Sequence, residues 1–156
     1  MTFRVRAARP EDAEAAALLL RRSITELCQA DHRNDPERLA GWLDNKRPEV
    51  FLSWLANPQS TVLVAEREQG QLLGVAACSS SGNITLNYVS PDARFAGVSS
   101  ALISALEVDL KRRGVRLVNL VSTRTAHTFY LARGYRDVAQ TGAPADELRM
   151  EKELTP

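Results

Sequence analysis

Hydrophobic and polar residues follow two different periods along this chain. Strict alternation and short apolar runs rich in β-branched residues predict strands. These patterns place strands over residues 3–6, 61–66, 72–78, 84–89, 116–121, 135–139 and 147–154. Apolar residues spaced three and four positions apart predict amphipathic helices. That spacing places helices over residues 10–27, 36–43, 48–56, 100–113 and 125–133. Because both kinds of element occur along the chain, the pattern predicts an α/β fold.

The connections between the predicted strands indicate how the strands pair. Short turns join strands 61–66, 72–78 and 84–89, so we expect an antiparallel meander. A helical crossover separates strand 84–89 from strand 116–121, which should make those two strands parallel. The expected architecture is a mixed central β-sheet flanked by helices. With 156 residues, 44% of them hydrophobic, the chain can form the core of one domain over its whole length.

Residues 86–114 contain the strongest candidate for a ligand site. A β-prone run ends at Pro91, a short loop holds Gly97, and the helix that follows has no acidic side chain in its first turn. Free N–H groups and the positive end of the helix dipole at such a start bind phosphate oxygens. The helix would also form without a ligand, so an ordinary strand-loop-helix unit is the alternative. The first hypothesis is a phosphate-bearing cofactor.

Two motifs in this region resemble those of the Gcn5-related N-acetyltransferase (GNAT) family. Residues 94–99 resemble its Q/R-x-x-G-x-G/A pyrophosphate loop, and residues 123–135 resemble its N-x-x-A-x-x-F-Y-x-x-x-G-F signature. The resemblance is strongest over residues 84–138. Ser99 stands where the family has Gly or Ala, and Thr123 stands where it has Asn. The resemblance implies the acyl-CoA N-acyltransferase fold and an enzyme that uses acetyl-CoA to acetylate a primary amine.

The resemblance also implies which residues bind the cofactor and act on it. The cofactor-binding residues would be Tyr88, Val89, Arg94, Phe95, Ala96, Gly97, Val98, Ser99, Ser100, Thr123, Ala126, Phe129 and Tyr130. The backbone N–H of Val89 would donate to the thioester carbonyl as negative charge grows there. Tyr130 would donate a proton to the leaving thiolate, since an ordinary tyrosine, with a pKa near ~10, is protonated at neutral pH.

The acceptor side is less specified by the sequence. Asn87 stands on the strand where some relatives have a glutamate, so no carboxylate is available there. We expect Glu26, Asp31, His32 and Asn87 to contact the substrate. His32, or else Glu26, Asp31 or Glu66, would act as the general base. The alternative for the link around Asp31 and His32 is a solvated polar loop.

Composition excludes some other classes of function. The formal net charge of +1 lacks the basic excess typical of nucleic-acid binders. Cys28 and Cys78 have no metal-ligand spacing, so we expect reduced thiols, no metal and a cytoplasmic location. No apolar run approaches the ~20 residues of a membrane helix, so no membrane partner is expected.

Three interpretations of the chain remain open at this stage. The favoured one is an acetyltransferase whose acceptor is a small-molecule amine, a protein N-terminus or a lysine. The second is a module of the same fold that binds acyl-CoA without transferring the acyl group. The third is a nucleotide-binding regulatory domain, which the lack of a P-loop lysine motif disfavours. The resemblance is compatible with a homodimer, since members of the family are often dimers, but the sequence does not determine the oligomeric state.

Overall fold

A computed structural model describes residues 2–138 and 147–155. The strands in these ranges are β1 (Phe3–Ala7), β2 (Ser60–Arg67), β3 (Leu72–Ser79), β4 (Asn83–Val89), β5 (Leu117–Ser122), β6 (Arg136–Asp137) and β7 (Leu148–Glu153). The helices are α1 (Ala13–Leu27), α2 (Gln29–His32), α3 (Pro36–Leu43), α4 (Pro48–Ala56), α5 (Val98–Arg112) and α6 (His127–Ala132). Short 3-10 turns lie at Pro10–Asp12 and Pro91–Ala93. The predicted helix start at Pro10 is therefore a 3-10 turn that leads into α1.

The strands form one mixed sheet in the order β1-β2-β3-β4-β5-β7-β6. Neighbouring strands are antiparallel except β4 and β5, which are parallel because α5 crosses over between them. The antiparallel meander of β2, β3 and β4 is confirmed. The predicted fold class, a mixed central sheet flanked by helices, is confirmed as well.

Helices cover the central strands on both faces. Helix α5 packs on one face of β2, β3 and β4, while α1 and α4 pack on the other. Strand β3 is consequently buried from Leu72 to Cys78. A Cβ added to Gly74 of β3 would lie 2.7 Å from Val98 Cγ1 and 2.8 Å from Leu102 Cδ1. Glycine at this position therefore lets α5 lie close to the sheet, which fixes the start of α5 beside the end of β4.

Two sequence-based predictions differ from the structure in this part of the chain. The polar link after α1 was expected to lack regular structure, but it contains the short helix α2, and His32 at its end is fully buried. The predicted strand 135–139 is short, because β6 covers only Arg136 and Asp137. Ala139, its predicted end, lies outside the described residues. Within the described ranges, no helix has the length and apolar character that a membrane span requires.

Candidate active site

Strands β4 and β5 separate soon after they begin to pair. Their parallel pairing is limited to Asn83 with Asn119 and Ile84 with Leu120. On the other side of β4, Ala77 pairs with Leu86 and Cys78 with Ile84, so Thr85 is an extra residue in a β-bulge. A bulge bends its strand and increases the local twist. The ends of β4 and β5 therefore diverge, and a cavity of about 520 Å³ opens between them.

The backbone of Val89 faces this gap. Ser90 donates its N–H to the carbonyl of Leu73 over 2.8 Å. The N–H of Ser90 therefore points toward β3. In an antiparallel pair such as β3 and β4, successive residues of a strand direct their N–H groups to opposite sides. Val89, paired with Gly74, therefore directs its N–H away from β3 and toward the side where β5 has diverged. Val89 lines the cavity, and in the described part of the chain its N–H has no ladder partner on β5.

The loop before α5 presents a series of backbone N–H groups to the cavity region. Phe95 and Gly97 have positive φ angles of 64° and 81°, and the first turn of α5 has no acidic side chain. Among the described residues, none accepts a hydrogen bond from the backbone N–H groups of residues 95–100. A Cβ added at Gly97 would meet no atom within 4 Å. Glycine is therefore favoured at position 97 by its positive φ and not by contact with another part of the chain. The open space beside it fits a bound anion.

Arg94 adds a positive charge to this loop. Its guanidinium lies 4.6 Å from the centre of the Phe95 ring, and that ring is 90% exposed. Both side chains line the cavity, together with Val98, Ser99 and Ser100 at the start of α5. The residues present thus fit a diphosphate group, since donors, a cation and open space coincide.

Tyr130 enters the same cavity from α6. The side chain is buried between the rings of Phe129 and Tyr135, whose centres lie 5.2 and 5.5 Å away. Burial raises the pKa of the Tyr130 hydroxyl to about 12, so it is protonated at neutral pH. Thr123 Oγ1 accepts the N–H of Ala126 over 3.1 Å, so this threonine caps the turn before α6.

Asn87 connects β4 to Tyr130. Its Nδ2 donates to the Tyr130 hydroxyl oxygen over 3.2 Å. Its Oδ1 is buried and has no hydrogen-bond partner among the described residues. The bond leaves the hydroxyl proton of Tyr130 available for another acceptor, while Asn87 Oδ1 keeps an unused capacity to accept a hydrogen bond.

Residues 30–153 match the family model of the acetyltransferase (GNAT) domain. The chain belongs to the GNAT acetyltransferase family. No curated protein matches the sequence.

Solved structures of GNAT proteins have the same fold. A GCN5-related N-acetyltransferase from Rhodopseudomonas palustris is 28% identical, with a TM-score of 0.83 over 99% of this chain and 97% of that one. The PaiA N-acetyltransferase from Thermoplasma acidophilum in complex with coenzyme A is 18% identical, with a TM-score of 0.83 over 99% and 100%. The ribosomal-protein-S18-alanine N-acetyltransferase from Escherichia coli is 17% identical, with a TM-score of 0.71 over 99% and 96%.

The cofactor-site residues expected from the GNAT motifs lie around one cavity. Those that line it are Tyr88, Val89, Arg94, Phe95, Gly97, Val98, Ser99, Ser100, Thr123, Ala126, Phe129 and Tyr130. Ala96, also expected there, instead packs at the edge of the core beside α5. Asn87, expected on the acceptor side, lines the same cavity.

The structure places His32 away from the position expected for a general base of this GNAT site. The imidazole is fully buried and does not line the cavity. Its Nδ1 accepts the N–H of Asn34 over 3.0 Å, and its Nε2 lies 2.8 Å from the carbonyl oxygen of Ile24. The carbonyl can only accept, so Nε2 carries the proton. Both ring nitrogens are occupied, and His32 holds α2 against α1 instead of facing a substrate.

Asp31 also has a structural position. Its carboxylate accepts the N–H groups of Arg124 and Thr125 and the Thr125 hydroxyl, the last at 2.7 Å. The carboxylate therefore connects α2 to the loop before α6, on which Tyr130 depends for its position. This arrangement is against the expectation that Asp31 binds the acceptor amine.

Glu26 and Glu66, the other acidic candidates, lie outside the cavity lining. Glu26 is exposed on α1 and pairs with Arg22 at 3.0 Å. Glu66 on β2 accepts from Arg4 and Arg6 at 2.6 and 3.0 Å. Arg6 and Arg4 hold the pKa of Glu66 at about 2, so it is ionised and committed to these arginines. The structure thus places neither glutamate at the cavity.

Several cavity residues were not identified from the sequence. Ser23, Leu27 and Cys28 at the end of α1 form one wall, and Thr85 and Thr125 add hydroxyl groups. Arg133, at the end of α6, lines the cavity and lies over the Phe129 ring at 5.1 Å. The apolar stripe of α1 gave no sign that its last turn faces a cavity. Arg133 lies within the second GNAT motif, at a position that the motif leaves unspecified.

Proposed function

We propose that this GNAT protein transfers the acetyl group of acetyl-CoA to a primary amine by direct attack in a ternary complex. The observation that carries the proposal is that the phosphate-receptive loop, the free N–H of Val89 and the hydroxyl of Tyr130 line one cavity. When bound, acetyl-CoA would supply the activated thioester, and the chain would bind, orient and polarise it.

The loop and the start of α5 would hold the diphosphate. The N–H groups of residues 95–100 are available as donors, and Arg94 adds a cation that balances the phosphate charge. The gap between β4 and β5 would admit the extended arm that leads from the phosphates to the thioester. Backbone groups at the end of β4 have no partner on β5 there, so they can pair with amide groups of that arm.

Val89 and Tyr130 would act at the reacting atoms. As the amine nitrogen bonds to the acyl carbon, charge develops on the thioester oxygen, where the Val89 N–H would donate. As the carbon–sulfur bond breaks, the Tyr130 hydroxyl would donate its proton toward the sulfur. Asn87 supports this role because its Nδ2 donates to the Tyr130 oxygen, which directs the hydroxyl proton elsewhere. The proton lost from the amine nitrogen would pass to solvent, and solvent would return a proton to the Tyr130 oxygen.

A non-catalytic acyl-CoA-binding module is the second candidate. It is favoured by one observation, that the cavity lining in the described residues contains neither a carboxylate nor an imidazole. Such a protein would bind acyl-CoA in the same place without transferring the acyl group.

Calorimetry followed by a thiol-release assay separates these functions. Acetyl-CoA and free CoA should bind with similar affinity, and ATP should bind far more weakly. Acetyl-CoA should then release CoA only when an amine is added. Binding of acetyl-CoA without thiol release on any amine would support the binding module, and preferential binding of ATP would contradict both functions.

A further inference from the structure

Asn87 belongs to the cavity lining and carries a neutral hydrogen-bond acceptor that is unpaired in the described part of the chain. Its Oδ1 is buried without a partner among the described residues, while its Nδ2 is fixed by the Tyr130 hydroxyl at 3.2 Å. An unpaired buried carbonyl oxygen is costly and is stabilised when a ligand N–H bonds to it. Because Asn87 lies beside Tyr130, which would meet the leaving sulfur, an N–H donor at Oδ1 would be close to the reacting atoms.

The other ionisable groups around the cavity are not placed to take a proton from an ammonium group. The charged lining residues in the described ranges are the cations Arg94 and Arg133. Cys28 at the end of α1 and Tyr88 on β4 are kept protonated by burial, which raises the pKa of both groups. Asp31 of α2 is the carboxylate near Cys28, and its oxygens already accept bonds from Arg124 and Thr125.

A carboxamide oxygen and a carboxylate differ in how they bind the ammonium form and the neutral form of an amine. A carboxylate stabilises an ammonium ion strongly and raises its pKa, whereas a neutral oxygen pairs with the N–H of either form without that bias. Burial in the cavity then favours the uncharged amine. An amine that attacks here must therefore arrive with its lone pair already free.

We propose that the acceptors of this site are amines whose pKa is about 8 or lower, with α-amino groups preferred over the ε-amino group of lysine, and that Asn87 Oδ1 receives the amine N–H. This inference rests on the proposed acetyltransferase function. At about pH 7, an α-amino group with a pKa near ~8 is neutral in about a tenth of molecules, whereas a lysine side chain with a pKa near ~10.4 is neutral in about one in 2,500. The nitrogen–carbon bond forms, the carbon–sulfur bond breaks and the sulfur takes the Tyr130 proton. The excess amine proton goes to water, and water returns a proton to the Tyr130 oxygen.

Two isomeric amines of equal size test the preference. Nε-acetyl-lysine amide has only an α-amino group, and Nα-acetyl-lysine amide has only an ε-amino group. At about pH 7, kcat/KM for the α-amine should exceed that for the ε-amine by about 200-fold. Between about pH 7 and pH 9, kcat/KM for the ε-amine should rise about tenfold per pH unit, since its neutral fraction rises by that factor.

Asn87→Asp tests the role of the side chain without changing its shape. The new carboxylate should favour the ammonium form and act as a base, so the ratio of kcat/KM between the two amines should fall at least about tenfold. The ratio is informative because any effect of the new charge on Tyr130 applies to both amines. Asn83→Asp is the matched control, because Asn83 lies on the same strand, is exposed and does not line the cavity. It should leave the ratio unchanged.

The outcomes separate this inference from the function on which it rests. Equal use of both amines at about pH 7, with a flat pH profile, would overturn the preference while leaving the acetyltransferase function intact. An unchanged ratio in Asn87→Asp, with normal binding of acetyl-CoA, would overturn the assignment to Asn87. Failure to bind acetyl-CoA at all would overturn the proposed function itself.

Discussion

Asn87 Nδ2 donates to the Tyr130 hydroxyl oxygen over 3.2 Å, and this bond joins β4 to α6 across the cavity. The two residues are 43 positions apart in the sequence. Asn87 lies on β4, which leads into α5, and Tyr130 lies on α6, which follows β5. These two segments form the two sides of the gap between β4 and β5. The bond therefore ties the strand end that would hold a thioester to the side chain that would protonate its leaving group.

Tyr130→Phe should lower kcat by about 10²-fold or more, because the hydroxyl is proposed to act only as the sulfur leaves. The affinity for acetyl-CoA, measured by calorimetry, should stay the same. Tyr135→Phe is the matched control, because it removes a buried hydroxyl that donates to Glu107 at 2.8 Å outside the cavity. That variant should lose stability and keep its kcat. A Tyr130→Phe variant with unchanged kcat and weaker acetyl-CoA binding would make Tyr130 a binding residue.

Asp31→Ala should lower the free energy of unfolding by about 1–2 kcal/mol, because two backbone N–H groups and a hydroxyl lose their acceptor. Urea unfolding measures this loss. Asp35→Ala is the control, since Asp35 precedes α3 without a side-chain capping bond and should change stability by less than about 0.5 kcal/mol. If Asp31→Ala instead kept full stability and raised KM for the amine, Asp31 would bind the acceptor after all.

Acid should weaken the cluster formed by Arg4, Arg6, Asp12 and Glu66. Hydrogen bonds from Arg6 and Arg4 hold the pKa of Glu66 at about 2, below its ordinary value of 4.5. A carboxyl group with a lowered pKa in the folded state stabilises the fold above its unfolded pKa. That contribution is lost as the pH falls from about 4.5 toward about 2.

Glu66→Gln should therefore flatten the dependence of stability on pH in this acid range, as followed by urea unfolding at several pH values. Glu49→Gln is a suitable control, because Glu49 forms an exposed pair with Arg47 at 3.3 Å. Its pH dependence should match that of the parent protein. Equal slopes for Glu66→Gln and the parent protein would mean that the lowered pKa does not contribute to acid sensitivity.

The fold was largely predictable because its signals are local. The apolar stripe of α5, the turns of the meander and the glycine before α5 are each read within a few residues. The parallel pairing of β4 and β5 followed from the helical crossover between them. The two GNAT motifs lie in the same local segments, and most of the residues that they led us to expect in the cofactor site line one cavity.

The acceptor side could not be predicted because it depends on contacts between distant residues. The polar composition of α2 resembles that of a solvated link. His32 can nevertheless be buried, because backbone groups of Ile24 and Asn34 form hydrogen bonds with both of its ring nitrogens. The bulge at Thr85 depends on how β4 aligns with β3, and the sequence of one strand alone does not reveal that alignment. The charge of Asp31 suggested amine binding, but its carboxylate accepts hydrogen bonds from backbone N–H groups 93 and 94 residues away.

Gly97→Glu should abolish binding of acetyl-CoA, because a carboxylate would enter the open space beside the phosphate-receptive loop. The positive φ of Gly97 adds backbone strain, so the same substitution at a second glycine is needed as a control. Gly114, at the other end of α5, has a φ of 82° against 81° for Gly97, and an added Cβ meets no atom within 4 Å at either position. Gly114→Glu should lose a similar amount of stability in urea unfolding and should keep its affinity for acetyl-CoA in calorimetry. If both variants bound acetyl-CoA as the parent protein does, the cofactor phosphates would lie elsewhere, and if both lost binding, the loss would come from strain in α5 and not from the site.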